Sequence, residues 1–282
     1  MAAVTRLTLP PVKQLVRLLT WNELEKVHQL WDEMAEFSPS ESDQAQLFLL
    51  QTLGRWIGAD NTRWHAGVRI LPGRAAKGDG MHGWRLQGTR VLQPRSPQRI
   101  KMAQGYHRVQ PGFEIGMPVR ALSAEAGNRF RVHLMRDGFI DFKAFSQTEY
   151  YQQYYRNLGI ADRLWICFPL NREIESIIVF DRHEPHGHFT RKQAAWAATV
   201  WHGLRWFHRQ LVLSHGILGA QSSLSPGQRR LVQELLTGKT EKEIAATLGQ
   251  SAATTHQYVK AILRHFGVNS RASLMALWLG AR

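Results

Sequence analysis

Residues 241–264 have the sequence EKEIAATLGQSAATTHQYVKAILR. The preceding residue, Thr240, forms a capping box with Glu243 three positions later, and this pattern predicts the start of a helix. Gly249 predicts the end of that helix, and Ser251 has the side chain expected at the N-cap of another. The stretch therefore predicts two helices joined by a very short turn.

The second of these helices has two different faces. Its apolar residues recur at three- and four-residue spacing and should pack on neighbouring helices: Val259, Ile262, Leu263 and Phe266. Long polar side chains lie together elsewhere on it: His256, Gln257, Lys260 and Arg264. Because such side chains suit a groove lined with phosphates and base acceptors, the stretch predicts a helix-turn-helix whose second helix enters the DNA major groove.

Two further helices extend this domain to residues 224–282. Ser225 with Pro226 and Gln228 forms the start signal of a helix before the turn. Ser270 caps a helix after it, and that helix carries Leu274. The expected fold of this part is an all-α domain of four helices.

The same residues resemble the LuxR/GerE-type DNA-binding domain of bacterial transcription regulators. The resemblance is carried by Leu224-Ser225-Pro226, Lys242-Glu243-Ile244-Ala245, Leu248-Gly249, Thr254, Ile262-Leu263-Arg264 and Phe266-Gly267-Val268 with Ser270-Arg271. It implies that the third helix reads DNA and that the fourth supports a homodimer. Position by position, it implies that base edges face His256, Gln257 and Lys260, and that phosphates face Thr254 and Arg264.

Three positions depart from the family pattern. The family has an aliphatic residue at the position of Gln250, a valine at that of Thr255 and a basic residue at that of His256. These departures bear on the DNA sequence that is recognised rather than on the fold. An alternative interpretation is an adaptor that uses the helix-turn-helix to dock on another regulator without contacting DNA.

Composition is consistent with a nucleic-acid partner. The 282 residues include 36 Lys and Arg against 22 Asp and Glu, a net charge of +14. Residues 224–282 carry eight of the basic and three of the acidic residues, so this short domain is the denser in positive charge. The single cysteine, the absence of a signal-peptide pattern at the amino terminus and the absence of a long apolar run predict a cytoplasmic protein without membrane contact.

The chain before this domain predicts an α+β plan. Residues 1–40 contain an amphipathic helix after Thr20, which either caps its own domain or pairs with a second subunit. Residues 41–213 predict an antiparallel sheet flanked by helices, and residues 214–223 a linker. The predicted elements of the middle part are a helix at 41–57, strands at 63–71, 84–92, 129–135, 164–170 and 174–180, a short helix at 146–156 and one long helix at 190–213.

The middle part also resembles the GAF/PAS class of small sensory domains. The residues that carry this resemblance are 155–162, the hairpin around Asn171-Arg172-Glu173, and Phe189-Thr190 at the start of the long helix. It implies a pocket for a small-molecule signal or a partner between sheet and helices. Aromatic residues either line this pocket or belong to the core: Trp64, Trp84, Phe139, Phe142 and Trp165.

Two groups of residues carry possible chemistry outside this scheme. A loop with His183, His186 and His188 offers metal ligands, but its composition favours a solvated connection, and we predict no metal or cofactor. Cys167 lies in a predicted strand, where a buried and unreactive thiol is the usual situation.

The sequence contains no enzyme signature. It lacks a glycine-rich phosphate loop, a nucleophile elbow and the acidic cluster of a phospho-accepting domain. An enzyme that acts on its own ligand in the middle domain is a further alternative, against which this absence argues. The sequence thus favours a DNA-binding transcription regulator, not an enzyme, whose binding to double-stranded DNA is controlled by an amino-terminal sensor and which forms a homodimer on DNA.

Overall fold

A five-stranded antiparallel sheet lies at the centre of the amino-terminal part. The computed structural model describes residues 12–70, 78–93, 114–218 and 223–280. The strands are β1 Asn61–Arg69, β2 Trp84–Val91, β3 Arg131–Leu134, β4 Ile160–Pro169 and β5 Ile174–His183. Their spatial order is β2-β1-β5-β4-β3, so β5 is the central strand. The predicted antiparallel sheet is confirmed.

The hairpin between β4 and β5 forms at the predicted turn. Asn171 Oδ1 accepts hydrogen bonds of 2.8 Å from the backbone N–H groups of both Glu173 and Ile174. A short polar side chain that binds the backbone two and three residues later is the usual means by which asparagine forms a turn. The register that follows pairs Trp165 with Val179.

Helices precede, interrupt and follow the strands. Helix α2 begins at the predicted capping box, in which the backbone N–H and the hydroxyl of Thr20 both donate to Glu23. Helix α4 lies in a part of the chain for which the sequence predicted no element. The helices of this part are α1 Val12–Leu15, α2 Trp21–Ala35, α3 Ser42–Ile57, α4 Met117–Ala124, α5 Phe142–Ser146, α6 Glu149–Tyr154 and α7 Arg191–Gly203.

The predicted single helix at 190–213 is wrong, because the structure has two helices there. Helix α7 begins at the predicted cap, Thr190, and α8 spans Arg205–Ser214. Leu204 separates them with φ −92° and ψ 39°, outside the helical region. Gly203 is a poor helix former, and the Trp31 ring lies where a side chain at this position would stand. Both halves have helical periodicity, so the sequence pattern does not reveal a break of one residue.

The carboxy-terminal part consists of four short helices, as predicted. They are α9 Pro226–Leu235, α10 Glu241–Leu248, α11 Ala252–His265 and α12 Arg271–Trp278. In each, the side chain of the N-cap residue accepts the backbone N–H three positions later; the four N-caps are Ser225, Thr240, Ser251 and Ser270. These contacts satisfy N–H groups that the first helical turn leaves without an intrahelical partner.

One core holds these helices together. It contains the apolar residues that the helical spacing indicated, in particular Leu231, Val232, Leu235, Ile244, Val259, Ile262, Phe266, Leu274 and Trp278. Arg271 adds a polar tie between the first and last helix: its guanidinium donates to the carbonyl oxygens of Leu235, Thr237 and Lys239. These oxygens lie at and beyond the end of α9, where carbonyl groups lack intrahelical partners.

The structure divides into two compact units. The first unit comprises the chain up to Trp31 together with Phe48–Arg205, and the second comprises Asp32–Leu47 together with Trp206–Arg282. The second unit thus includes a segment from near the amino terminus. Within it, the Arg229 guanidinium of α9 forms an ion pair with the Asp43 carboxylate in the first turn of α3.

The described part of the predicted linker packs into the second unit. Leu213 and Leu224, on either side of it, share one core. The Leu224 N–H donates to the His215 carbonyl at 2.9 Å, and the Gly216 carbonyl oxygen lies 2.8 Å from His265 Nε2. Residues 219–222 of the predicted linker lie outside the described residues, as do 1–11, 71–77, 94–113 and 281–282.

The helices can be compared with the length that a bilayer requires. None of those in the described ranges is both long and apolar enough to span a membrane.

The turn between α10 and α11 yields a test of backbone conformation. Gly249 has φ 63° and ψ 37°, a left-handed conformation that side chains disfavour, although a Cβ there would meet nothing within 4 Å. We expect Gly249→Ala to lower the free energy of unfolding by about 1 kcal/mol from backbone strain alone. Denaturant titration of the full chain measures this change in the free energy of unfolding.

Gly227→Ala is the matched control. Gly227 is the second residue of α9, and a Cβ there also meets nothing within 4 Å. Because alanine favours a helix over glycine, this substitution should stabilise the protein by about 0.5–1 kcal/mol. Equal effects of the two substitutions would show that the conformation of Gly249 does not matter.

Candidate nucleic-acid interface and ligand cavity

The turn between α10 and α11 is built by local signals. Gly249 ends α10, and Ser251 begins α11 by accepting the Thr254 N–H at 3.1 Å. The buried Thr255 faces the domain interior, where the resembling family has a valine. A threonine of similar shape is thus accommodated at this core position.

Helix α11 has one buried and one exposed face. Thr255, Val259 and Ile262 are buried. All five residues that were assigned to DNA are exposed: Thr254, His256, Gln257, Lys260 and Arg264. The helix therefore presents two long cations, an amide, an imidazole and a hydroxyl to solvent, groups that bind phosphates and base edges.

His256 also contacts the preceding helix. Its Nδ1 lies 3.0 Å from Glu241 Oε2 in the first turn of α10, and both side chains are about half exposed. Exposed pairs of this kind contribute little to stability, so the carboxylate is readily displaced by a stronger partner. Glu241 is thus an anion beside the exposed face, near the amino-terminal end of α11.

A cavity lies on one face of the sheet in the first unit. It has a volume of about 120 Å³. Most of its lining is apolar, with Trp84 of β2 and Trp165 of β4 as the largest side chains. Its polar lining residues are Arg63, His65, Thr89, Ser123, Tyr150, Tyr155, Arg163 and Glu175.

Buried charges surround this cavity. Asp181 Oδ1 accepts hydrogen bonds from Arg63 Nη2 at 2.9 Å and from Arg163 Nε at 2.6 Å. Arg163 Nη1 donates to the Tyr155 hydroxyl at 2.7 Å. Burial raises the pKa of Tyr155, so the phenol is neutral near pH 7. Burial alone would lower the pKa of Arg163, but the Asp181 carboxylate, Tyr155 and Tyr150 together raise that pKa, so the guanidinium stays charged.

A second buried ion pair lies on the same face. Both terminal nitrogens of Arg131 in β3 donate hydrogen bonds to the carboxylate of Glu175, one to each oxygen and each at 2.9 Å. Glu175 Oε1 also accepts the Gly127 N–H at 2.7 Å. The two-point geometry is the strong form of an arginine–carboxylate contact. The sequence analysis identified none of these charged residues; the available signal was a charge within, or next to, an apolar strand.

Two of the five predicted pocket aromatics, Trp84 and Trp165, line the cavity. Trp64 does not, because side chains alternate along β1 and those on the cavity side are Arg63 and His65. The Trp64 indole is fully buried and donates to Ser176 Oγ at 2.8 Å.

Phe139 and Phe142 also lie outside the cavity lining. Phe139 stacks on His133 with a centroid separation of 4.5 Å and meets Trp165 edge-on. Phe142 lies beneath the Arg136 guanidinium, 3.8 Å from its carbon. The regularly spaced aromatic side chains of this segment therefore pack near the residues that line the cavity and do not line it themselves.

The loop that carries His183, His186 and His188 forms hydrogen bonds with Asp60. His186 Nδ1 lies 2.8 Å from Asp60 Oδ1, and the His183 N–H donates to Asp60 Oδ2. Across the described ranges, no three His, Cys, Asp or Glu side chains form a group that would hold a metal ion.

Comparison with known proteins identifies the carboxy-terminal domain. Residues 222–278 match the family model described as bacterial regulatory proteins, luxR family, which confirms the resemblance stated from the sequence. Comparison with curated proteins finds no match.

Solved structures offer distant likenesses. Escherichia coli SdiA is 11% identical and covers 92% of this chain and 97% of its own, with a TM-score of 0.44. SdiA in complex with octanoyl-rac-glycerol is 10% identical and covers 91% and 94%, with a TM-score of 0.46. The VqsR LBD domain from Pseudomonas aeruginosa is 16% identical and covers 69% and 98%, with a TM-score of 0.43.

The single cysteine provides a test of burial in the first unit. Cys167 is fully buried in β4, and burial raises its pKa to about 12, against a smaller opposing effect of Arg131. Because only the thiolate reacts, we expect negligible labelling by iodoacetamide at pH 8 in the native protein and complete labelling in denaturant. Mass spectrometry of the intact chain measures both. Native labelling as fast as that of the denatured chain would contradict the burial.

Proposed function

We propose, because the carboxy-terminal domain belongs to the luxR family of bacterial regulatory proteins, that this protein is a sequence-specific transcription regulator. Its binding to double-stranded DNA is controlled by a small-molecule signal or a partner that binds the first unit. The observation that carries the proposal is helix α11, which buries one face in the domain core and exposes the five residues assigned to DNA.

The DNA contacts divide into two kinds in this proposal. His256, Gln257 and Lys260 face base edges, where their donors and acceptors read sequence. Thr254 and Arg264 contact phosphates, which set the position of the helix along the groove. A homodimer would place two such helices on half-sites about 34 Å apart, one turn of DNA.

Control by the first unit uses the last of the three places where the chain crosses between the two units. The cavity beside β1, β4 and β5 is the candidate signal site. The chain leaves the first unit at Arg205, directly after the helix break at Leu204. A short non-helical connection is where a packing change in one unit alters the placement of the next. In our proposal, the signal therefore changes how paired DNA-binding domains meet their half-sites.

Lys260→Ala tests the assignment of α11. Sequencing the genomic fragments that the protein retains first identifies the operator. On that operator, we expect the substitution to weaken binding by about 1–3 kcal/mol if Lys260 reads a base. An equal loss on random duplexes would instead place it on a phosphate. Fluorescence anisotropy measures both affinities.

Lys143→Ala is the charge-matched control for this experiment. Lys143 is an exposed lysine in α5 of the first unit, so its loss removes the same charge from a different surface. Its affinity for the operator should equal that of the wild type. If Lys260→Ala also binds every duplex as the wild type does, Lys260 is outside the interface.

Salt dependence separates a DNA-binding regulator from an adaptor that docks on another regulator. Binding by the exposed cations of α11 releases counterions from DNA, so we expect log affinity to fall linearly and steeply with log salt concentration. Anisotropy across a salt series measures the slope. No DNA binding even at low salt, with retained binding of a protein partner, would favour the adaptor.

A further inference from the structure

We propose that the cavity of the first unit binds a small monocarboxylate with a one-ring or short apolar body. This inference rests on the proposed sensory function and names the chemical class of the signal. It follows from the surplus of positive charge at the cavity wall and the apolar character of the remaining lining.

The charge surplus arises because two arginines share one carboxylate. Arg63 and Arg163 both line the cavity, and both bind the same oxygen of Asp181, which is fully buried. The other carboxylate at the cavity belongs to Glu175, and its charge is balanced by the two-point contact with Arg131. The three arginines and two carboxylates leave one positive charge in excess.

The parts of the chain outside the described ranges contribute no acidic side chain. Residues 1–11, 71–77, 94–113, 219–222 and 281–282 contain neither Asp nor Glu. A buried charge without a counter-charge is costly, because the interior solvates it poorly. The surplus at the cavity therefore favours a ligand that supplies an anion.

Arg163 offers a donor for that anion. Its Nε and Nη1 are bound to Asp181 and Tyr155, whereas its Nη2 is buried without a hydrogen-bond partner among the described residues. The side chain is only 6% exposed. Guanidinium groups bind carboxylates in a shared plane with short, charge-assisted hydrogen bonds, so a small shift would bring this donor onto a ligand.

Charge and size limit the ligand further. A surplus of one charge matches a monocarboxylate, whereas a phosphate dianion would reverse the imbalance. A cavity of about 150 Å³ in another protein holds benzene, and the cavity here, at about 120 Å³, is of similar size. Trp84 and Trp165 provide aromatic walls for such a body.

The test compares acids with their neutral amides on the full chain. The probes are benzoate, phenylacetate and 3-phenylpropanoate, each with its amide, at pH 7 with sodium chloride at equal concentration as a control. We expect at least one acid to raise the thermal midpoint and to bind about ten-fold or more tightly than its amide, since the amide leaves the surplus charge unmatched. Isothermal titration calorimetry measures the affinities.

Arg163→Met tests the origin of the preference. With Arg63 and Asp181 left as a balanced pair, the variant should bind the acid no better than the amide. Arg129→Met is the control, because it removes a guanidinium that pairs with Glu125 at the surface, where its side chain is 65% exposed. This control should keep the wild-type preference. Circular dichroism establishes that both variants fold, and the wild-type comparison stands without them.

The outcomes separate this inference from the proposed function. Amides that bind as well as acids, sodium chloride that stabilises as much as the acids, or no response to any probe would overturn the monocarboxylate site. Retention of operator DNA by the same preparation would show that the regulator function survives that result. Acid-selective binding by a protein that retains no DNA would instead support the site and reject the regulator.

Discussion

The first unit depends on pairing buried charges across its central strand. β5 carries Glu175 and Asp181 on one face. Their carboxylates bind arginines from three other strands of the sheet: Arg63 of β1, Arg131 of β3 and Arg163 of β4. Each of these arginines would be destabilising without its carboxylate, because the interior does not solvate a charge well. The strands are thus joined by side-chain contacts as well as by the backbone ladder, and the cavity lies where these contacts meet the apolar wall.

The second unit is stabilised in a different way, by hydrogen bonds at the ends of its short helices. Four N-cap side chains satisfy the first turns, and Arg271 satisfies carbonyl groups at the end of α9. Helices this short are marginal alone, so their end contacts and common core act together. The consequence is a helix α11 that buries one face in this core and exposes the other, which is the face that our proposal assigns to DNA.

Local signals explain what the sequence predicted well. Thr240 with Glu243, Gly249 and the Asn171 turn act within three or four residues, so their effect is visible without knowledge of the fold. The break at Leu204 and the position of Trp64 depend instead on distant neighbours: Trp31 fills the space beside Gly203, and the cavity lies on the side of β1 opposite Trp64. The shared use of Asp181 by arginines 118 and 18 residues away is likewise invisible to any local pattern.

The second unit is not continuous in the gene, because it includes Asp32–Leu47 as well as the residues after Arg205. The family model covers residues 222–278, as if this one segment could be exchanged between proteins as a complete domain. Its first helix nevertheless carries Arg229, whose ion-pair partner Asp43 lies 186 residues earlier in the chain. A chimaera that exchanges only this segment would therefore break the ion pair. An exchange that keeps the pair has to include both segments of the second unit.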